Sequence, residues 1–154
     1  IPWRTFLSRL GFTWQRCYPI LFISGKGCSS TYHMDTSHVL AWQISGTKPF
    51  NSFTNPDHYA PLDQCENKRS NKALLSPPEH HTEDVLTYRM EPGAILWNQL
   101  LTPHWVVASD EVAVSFNISH GGVSYQGAFC PREVELRKRW EAHPDEAWLV
   151  DVRY

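Results

Sequence analysis

The chain has 154 residues, 42% of them hydrophobic, with 7 Trp, 6 Tyr and 7 Phe, and 14 Lys and Arg stand against 16 Asp and Glu. That length suits one domain, and so much apolar side chain excludes a mainly disordered polymer. The net charge of −2 argues against nucleic-acid binding through bulk positive charge, and no apolar run approaches the roughly 20 residues that span a bilayer.

Trp3, Phe6, Leu7, Leu10 and Trp14 recur at spacings of three and four across residues 2–16, which predicts a short amphipathic helix broken at Gly11. After Pro19, the run Ile20-Leu21-Phe22-Ile23 predicts a buried strand that ends in the turn Ser24-Gly25-Lys26-Gly27. Further strands are predicted over 31–35, 39–44 and 47–53, with Ser45-Gly46 as a tight connection. Residues 54–84 carry Pro56, Pro61, Pro77 and Pro78 among polar neighbours and predict a polar insertion; loops this long carry recognition or move, so a substrate lid is expected here. Strand texture resumes over 85–90, 94–97, 104–108 and 112–118, punctuated by Pro92-Gly93 and Ser109-Asp110. From Pro131 the period is helical. Pro131 fits the first helical position, Glu133 and Glu135 sit early and Arg137-Lys138-Arg139 late, so a helix is expected over about 131–142, with Pro144 as its stop and the basic triplet as a solvated face.

Roughly eight short strands in about 110 residues, with helix only at the two ends, predict an all-β sandwich or barrel, and an eight-stranded jelly roll fits. The expected unit is a single domain over 1–154, with its barrel at about 19–128. Cys17, Cys28, Cys65 and Cys130 include no CxxC pair, which excludes zinc-ribbon and thioredoxin readings. Four free thiols imply a reducing compartment, so a cytoplasmic location is expected.

His33-Met34-Asp35 carries the first chemical signal. On a strand, residues i and i+2 share a face, so an imidazole and a carboxylate would project side by side as two ligands of one metal ion. The triplet alone is weak: 8 His and 7 Asp give about 0.4 such matches by chance. His143-Pro144-Asp145 is indeed a second match, read as noise at a helix end. Context strengthens the first, because His104 begins a later strand. Two His and one Asp on strands of one barrel form the facial triad that leaves Fe(II) three open positions.

The stretch from His33 to Lys48, HMDTSHVLAWQISGTK, resembles the JmjC/cupin-like Fe(II)- and 2-oxoglutarate-dependent oxygenases. So do Pro92-Gly93-Ala94-Ile95-Leu96-Trp97, His104-Trp105-Val106 and the closing strand 113–118, which together cover about residues 19–120. The resemblance implies a double-stranded β-helix (jelly-roll) with short flanking helices. It implies that His33, Asp35 and His104 hold Fe(II) and that Lys48 pairs with the distal carboxylate of 2-oxoglutarate. Ser30 and Asn117 would assist that co-substrate. The implied reaction converts 2-oxoglutarate and O2 to succinate and CO2 while hydroxylating a C–H bond of an unidentified small molecule, amino acid, peptide or protein. An acid at position 35 argues for hydroxylation, because halogenating relatives have Gly or Ala there. Relatives often dimerise through C-terminal helices, so a homodimer through the C-terminal helix is a further expectation. Ala94 and Gln99 depart from the family pattern, at strand and turn positions.

Other readings stand beside these. The domain could be a catalytically silent metal- or ligand-binding cupin, or a cupin metalloenzyme that works without 2-oxoglutarate. Lys48 could be a hairpin-end lysine facing water. His38 should face away from Asp35, His80-His81 should lie on the surface, and His120-Gly121-Gly122 reads as a turn. Trp42, Trp97 and Trp105 are assigned mostly to the core.

Overall fold

The computed structural model describes residues 2–61, 76–107 and 109–144. Its strands are β1 (Phe12–Thr13), β2 (Arg16–Ser24), β3 (Ser30–His33), β4 (His38–Ser45), β5 (Lys48–Phe53), β6 (Val85–Met90), β7 (Ile95–Asn98), β8 (His104–Val106), β9 (Ala113–Gly121), β10 (Ser124–Tyr125) and β11 (Ala128–Phe129). Three α-helices accompany them among the described residues: α1 (Pro2–Arg9), the single turn α2 (Pro56–Tyr59) and α3 (Pro131–Ala142). Among the described residues, no helix is long and apolar enough to cross a membrane.

Strands β2 to β9 form two four-stranded antiparallel sheets, ordered β2-β9-β4-β7 and β3-β8-β5-β6. The chain passes back and forth between them, with only β5 and β6 consecutive in one sheet. That winding is the double-stranded β-helix, a jelly roll. Its longest ladder pairs β2 with β9 from Arg16↔Gly121 to Ser24↔Ala113. Pro19 lies inside β2, which the edge position of that strand permits. A third sheet, β1-β10-β11, closes one end.

The sheet with the longer strands, β2-β9-β4-β7, is the larger, and it is mixed inside, where Ile20, Phe22, Val39 and Ala41 stand among polar groups, and apolar outside. Its inner face carries Tyr18, Gln43, Asn98, Ser115, Asn117 and Ser119, all lining the space between the sheets. Leu21, Ile23, Trp42, Ile44, Ile95 and Trp97 point outward, each at least 38% exposed. Beneath the barrel end, the core consists of Leu100, Leu101 and Leu136, with Cys130 and Trp140 packed against them. Helix α3 therefore lies on its own barrel through Leu136. Outside the smaller sheet, Tyr32, Phe53 and Trp105 pack with Tyr59 and His80.

Several expectations change. The N-terminal helix stops at Arg9 and residues 12–13 are strand, because Gly11 at φ 90 turns the chain. β2 runs from Arg16, and its apolar stretch is exposed, not buried. Trp42 and Trp97 lie on the outer face and fill no core. His120 belongs to β9, is fully buried, and its Nε2 accepts a hydrogen bond from Trp3 Nε1 at 3.0 Å. The expected insertion holds α2 and a 3-10 turn at Thr82–Asp84; its residues 62–75, with Cys65, lie outside the described residues, as does Ala108.

Candidate metal centre

β3 carries His33 and β8 carries His104, and the two are register partners. Register alone brings their rings together, with centroids 4.2 Å apart. Asp35 does not sit on a strand as expected. β3 ends at His33, after an irregularity in its pairing between Ser30 and His33, and Asp35 stands in the connection to β4. The three side chains still converge. One ligand atom from each of His33, Asp35 and His104 lies within 4.8 Å of the others, and His104 Nε2 is 3.6 Å from Asp35 Oδ2.

Both imidazoles are fixed so that Nε2 is free to ligate. His33 Nδ1 lies 2.6 Å from the carbonyl oxygen of Thr31, and His104 Nδ1 lies 2.9 Å from that of Thr102. A carbonyl can only accept, so each Nδ1 donates its proton there and Nε2 is the nitrogen left to ligate when the ring is neutral. Phe50 stacks on the His104 ring at 5.0 Å and 12°. Burial, reinforced by the neighbouring His33, holds the pKa of His104 below its ordinary value, against smaller opposing effects of Asp35 and the Thr102 carbonyl. A neutral imidazole is the form a metal needs. Two imidazole nitrogens and a carboxylate, oriented by backbone carbonyls, fit a divalent first-row ion with open positions.

The three ligands face a cavity of about 580 Å³ between the sheets. Lys48, Ser30 and Asn117, the other residues singled out from the sequence, line the same cavity. Lys48 does not face bulk water as a hairpin lysine would. Its Nζ reaches Ser115 Oγ at 3.4 Å, and burial lowers its pKa. Ser52 pairs with His104, and Lys48 stands four residues along the same face of β5, about 13 Å of strand away. Asn117 Oδ1 is buried without a partner. Ser30 already accepts the Val106 N–H through Oγ at 3.1 Å, so its hydroxyl proton is what remains for a ligand.

Sequence reasoning missed two residues that stand against His104, Phe50 and Asn98. Asn98 lies 3.3 Å from His104 Nδ1 through its side-chain amide. Phe50 had a signal, since it shares a strand face with Lys48. Asn98 had none, because only the fold brings it to His104. His38 faces away from the cavity, as expected, and its Nδ1 accepts the Leu100 N–H at 3.4 Å. His80 Nδ1 is tied to the Pro78 carbonyl on the exposed side of the molecule.

No family model matches the chain, and no curated protein does. Solved structures with similar folds include a conserved protein of unknown function from Streptococcus pyogenes, at 14% identity and TM-score 0.45, covering 71% of this chain and 68% of that one. An uncharacterised double-stranded β-helix protein from Klebsiella pneumoniae is 9% identical at TM-score 0.44, with coverage of 71% and 73%. YcfD, a ribosomal oxygenase from Escherichia coli, is 20% identical at TM-score 0.45; the match covers 75% of this chain and 24% of that one. Likenesses this distant carry no argument on their own, and the fold assignment rests on strand order.

Proposed function

We propose that the protein is an Fe(II)- and 2-oxoglutarate-dependent oxygenase that hydroxylates a C–H bond of its substrate. The observation that carries this reading is the convergence of His33, Asp35 and His104 on a cavity whose wall also holds Lys48. When bound, Fe(II) and 2-oxoglutarate supply O2 activation, with release of succinate and CO2 and transfer of one oxygen atom to the substrate.

The chain's own groups do the rest. The His33 and His104 imidazoles and the Asp35 carboxylate would hold the ion. Lys48 offers a compact cation for a distal carboxylate, and Ser115 Oγ beside it steadies the ammonium. The Ser30 hydroxyl and the Asn117 amide add hydrogen bonds to the same ligand. Phe50, Ile20 and Phe22 exclude water from part of the chamber. Substrate and O2 enter from the remaining open side.

Anaerobic addition of Fe(II) and then 2-oxoglutarate tests the reading. The chelate gives a visible metal-to-ligand charge-transfer band, expected to vanish in Asp35→Ala and to weaken at least tenfold in apparent affinity in Lys48→Ala. No band from folded parent protein would leave a silent cupin, or one that works without 2-oxoglutarate, as the better account. A band insensitive to Lys48→Ala would remove that residue from the co-substrate site.

A further inference from the structure

We propose that Arg132, on the C-terminal helix, is a positioning residue for the metal centre, acting through the backbone of Leu101. The proposal rests on His33, Asp35 and His104 being metal ligands.

The connection from β7 to β8 delivers His104, and it is an unusual piece of backbone. Leu101 has φ 56 without being glycine, a conformation that persists only where the surroundings impose it. Its N–H donates to the backbone carbonyl of Asp35 at 2.7 Å. Its own carbonyl accepts from Arg132 Nη1, also at 2.7 Å. One peptide unit further on, the Thr102 carbonyl orients the His104 ring, and Ser52 Oγ donates to the Pro103 carbonyl at 2.7 Å. A single residue thus ties the backbone of one ligand, Asp35, to the turn that aims another, His104. The group that locks it comes from α3.

Arg132 suits this task. Its guanidinium is a planar fork, and while Nη1 binds Leu101, Nη2 forms an ion pair with Asp57 in α2. The arginine side chain is 12% exposed, whereas Asp57 is 69% exposed. Leu101 is held from its other side by Leu100 and Leu136 in the core beneath α3. Without the Arg132 bond, the Leu101 carbonyl would lose its charged donor, and the strained residue could relax. Relaxation would move the Thr102 carbonyl and the Asp35 backbone together, loosening two ligands at once.

Co(II) titration of the metal-free protein, followed by its visible absorption, tests this directly. Affinity and band shape report the ligand set, and a merely structural role would leave both unchanged in a folded variant. Arg132→Met should weaken Co(II) binding about 10- to 100-fold, the range typical of groups that orient metal ligands, and alter the spectrum. Asp57→Asn, which removes only the ion pair, should change affinity by less than about threefold and leave the spectrum alone. Circular dichroism and melting of the metal-free proteins establish folding. If Arg132→Met does not fold, Arg132→Lys decides by the same criteria, since an ammonium cannot bridge Leu101 and Asp57 as a fork does. A folded Arg132 variant with the parental affinity and spectrum overturns the proposal alone. A parent that binds no Co(II), or binds it undiminished in Asp35→Ala, overturns the metal centre and this proposal with it.

Discussion

His38 shows how a side chain outside the cavity governs stability near it. Burial, with a smaller contribution from His120, pushes its pKa down to about 4 from an ordinary 6.5. Above pH 6.5 the ring is neutral in both folded and unfolded chains and makes no pH-dependent contribution. Between pH 6.5 and about 4, the unfolded chain takes up a proton that the folded one refuses, so stability falls as pH falls. The full loss is on the order of 3 kcal/mol by linkage. Protonation would also remove the acceptor of the Leu100 N–H, next to the strained Leu101. Denaturant midpoints measured from pH 7 to pH 4 should therefore drop less steeply in His38→Gln, whose amide cannot titrate. An equal slope in both proteins would show that other groups carry the acid sensitivity. His38 lies off the cavity that Asp35 lines, although the regular strand on which the sequence reading set the two apart ends before Asp35. Its burial was not legible, because it depends on Trp97 stacking at 5.6 Å from a neighbouring strand.

At the scale of elements, the strand spans were readable because their residues alternate and their breaks carry turn chemistry. Ser45-Gly46 marked the connection from β4 to β5, and the structure shows why glycine is needed. Gly46 has φ 67, and a Cβ there would meet the Val112 carbonyl oxygen at 2.4 Å and Ala113 Cα at 2.8 Å. Both are backbone atoms of the β9 approach and cannot swing aside. Gln43 Nε2 further fixes the turn by donating to the Ser45 and Gly46 carbonyls at 2.8 and 3.0 Å. Gly46→Ala adds a left-handed penalty of about 1–2 kcal/mol to an overpacking penalty of about 1–3 kcal/mol. A loss of roughly 3 kcal/mol in chemical denaturation is expected, against nearly none for Gly27→Ala beyond its own backbone penalty, since nothing lies within 4 Å of that site. Similar losses at both glycines would refute the close-approach argument. Where alternation gave no signal, the reading failed: β1, β10 and β11 are two residues long, and Asp35 falls just past a strand end. The three side chains converge all the same, because convergence depends on the connection after β3 and not on strict strand geometry.

Across the whole molecule, periodicity could tell that strand faces differ but not which face is inside. The alternation in β4 puts Val39, Ala41 and Gln43 inward and Leu40, Trp42 and Ile44 outward, so the larger residues lie outside. Expecting the tryptophans in the core followed the usual rule that apolar residues are buried, and it is reversed for Trp42 and Trp97, whose face of the sheet points away from a cavity lined by both polar and apolar groups. The polar groups of that cavity have an energetic consequence. Lys48 and Asn117 are held in a partly dry chamber, the first with only a hydroxyl at 3.4 Å for its ammonium and the second with an orphaned oxygen. Desolvated polar groups of this kind cost stability until a ligand satisfies them. Lys48→Met should therefore raise the melting temperature of the metal-free protein, because a flexible apolar chain of similar length replaces a desolvated cation. It should also abolish the response to co-substrate. In the parent with metal, 2-oxoglutarate at 100 times its dissociation constant should add about 2.7 kcal/mol, or roughly 5–10 °C for a domain of this size. Differential scanning calorimetry of the two proteins, each with and without ligand, separates the terms. A Lys48→Met variant that melts lower than the parent and still responds to 2-oxoglutarate would mean that Lys48 supports the fold and that another cation meets the diacid. A higher baseline with no response would show that the chamber gives up stability in order to bind.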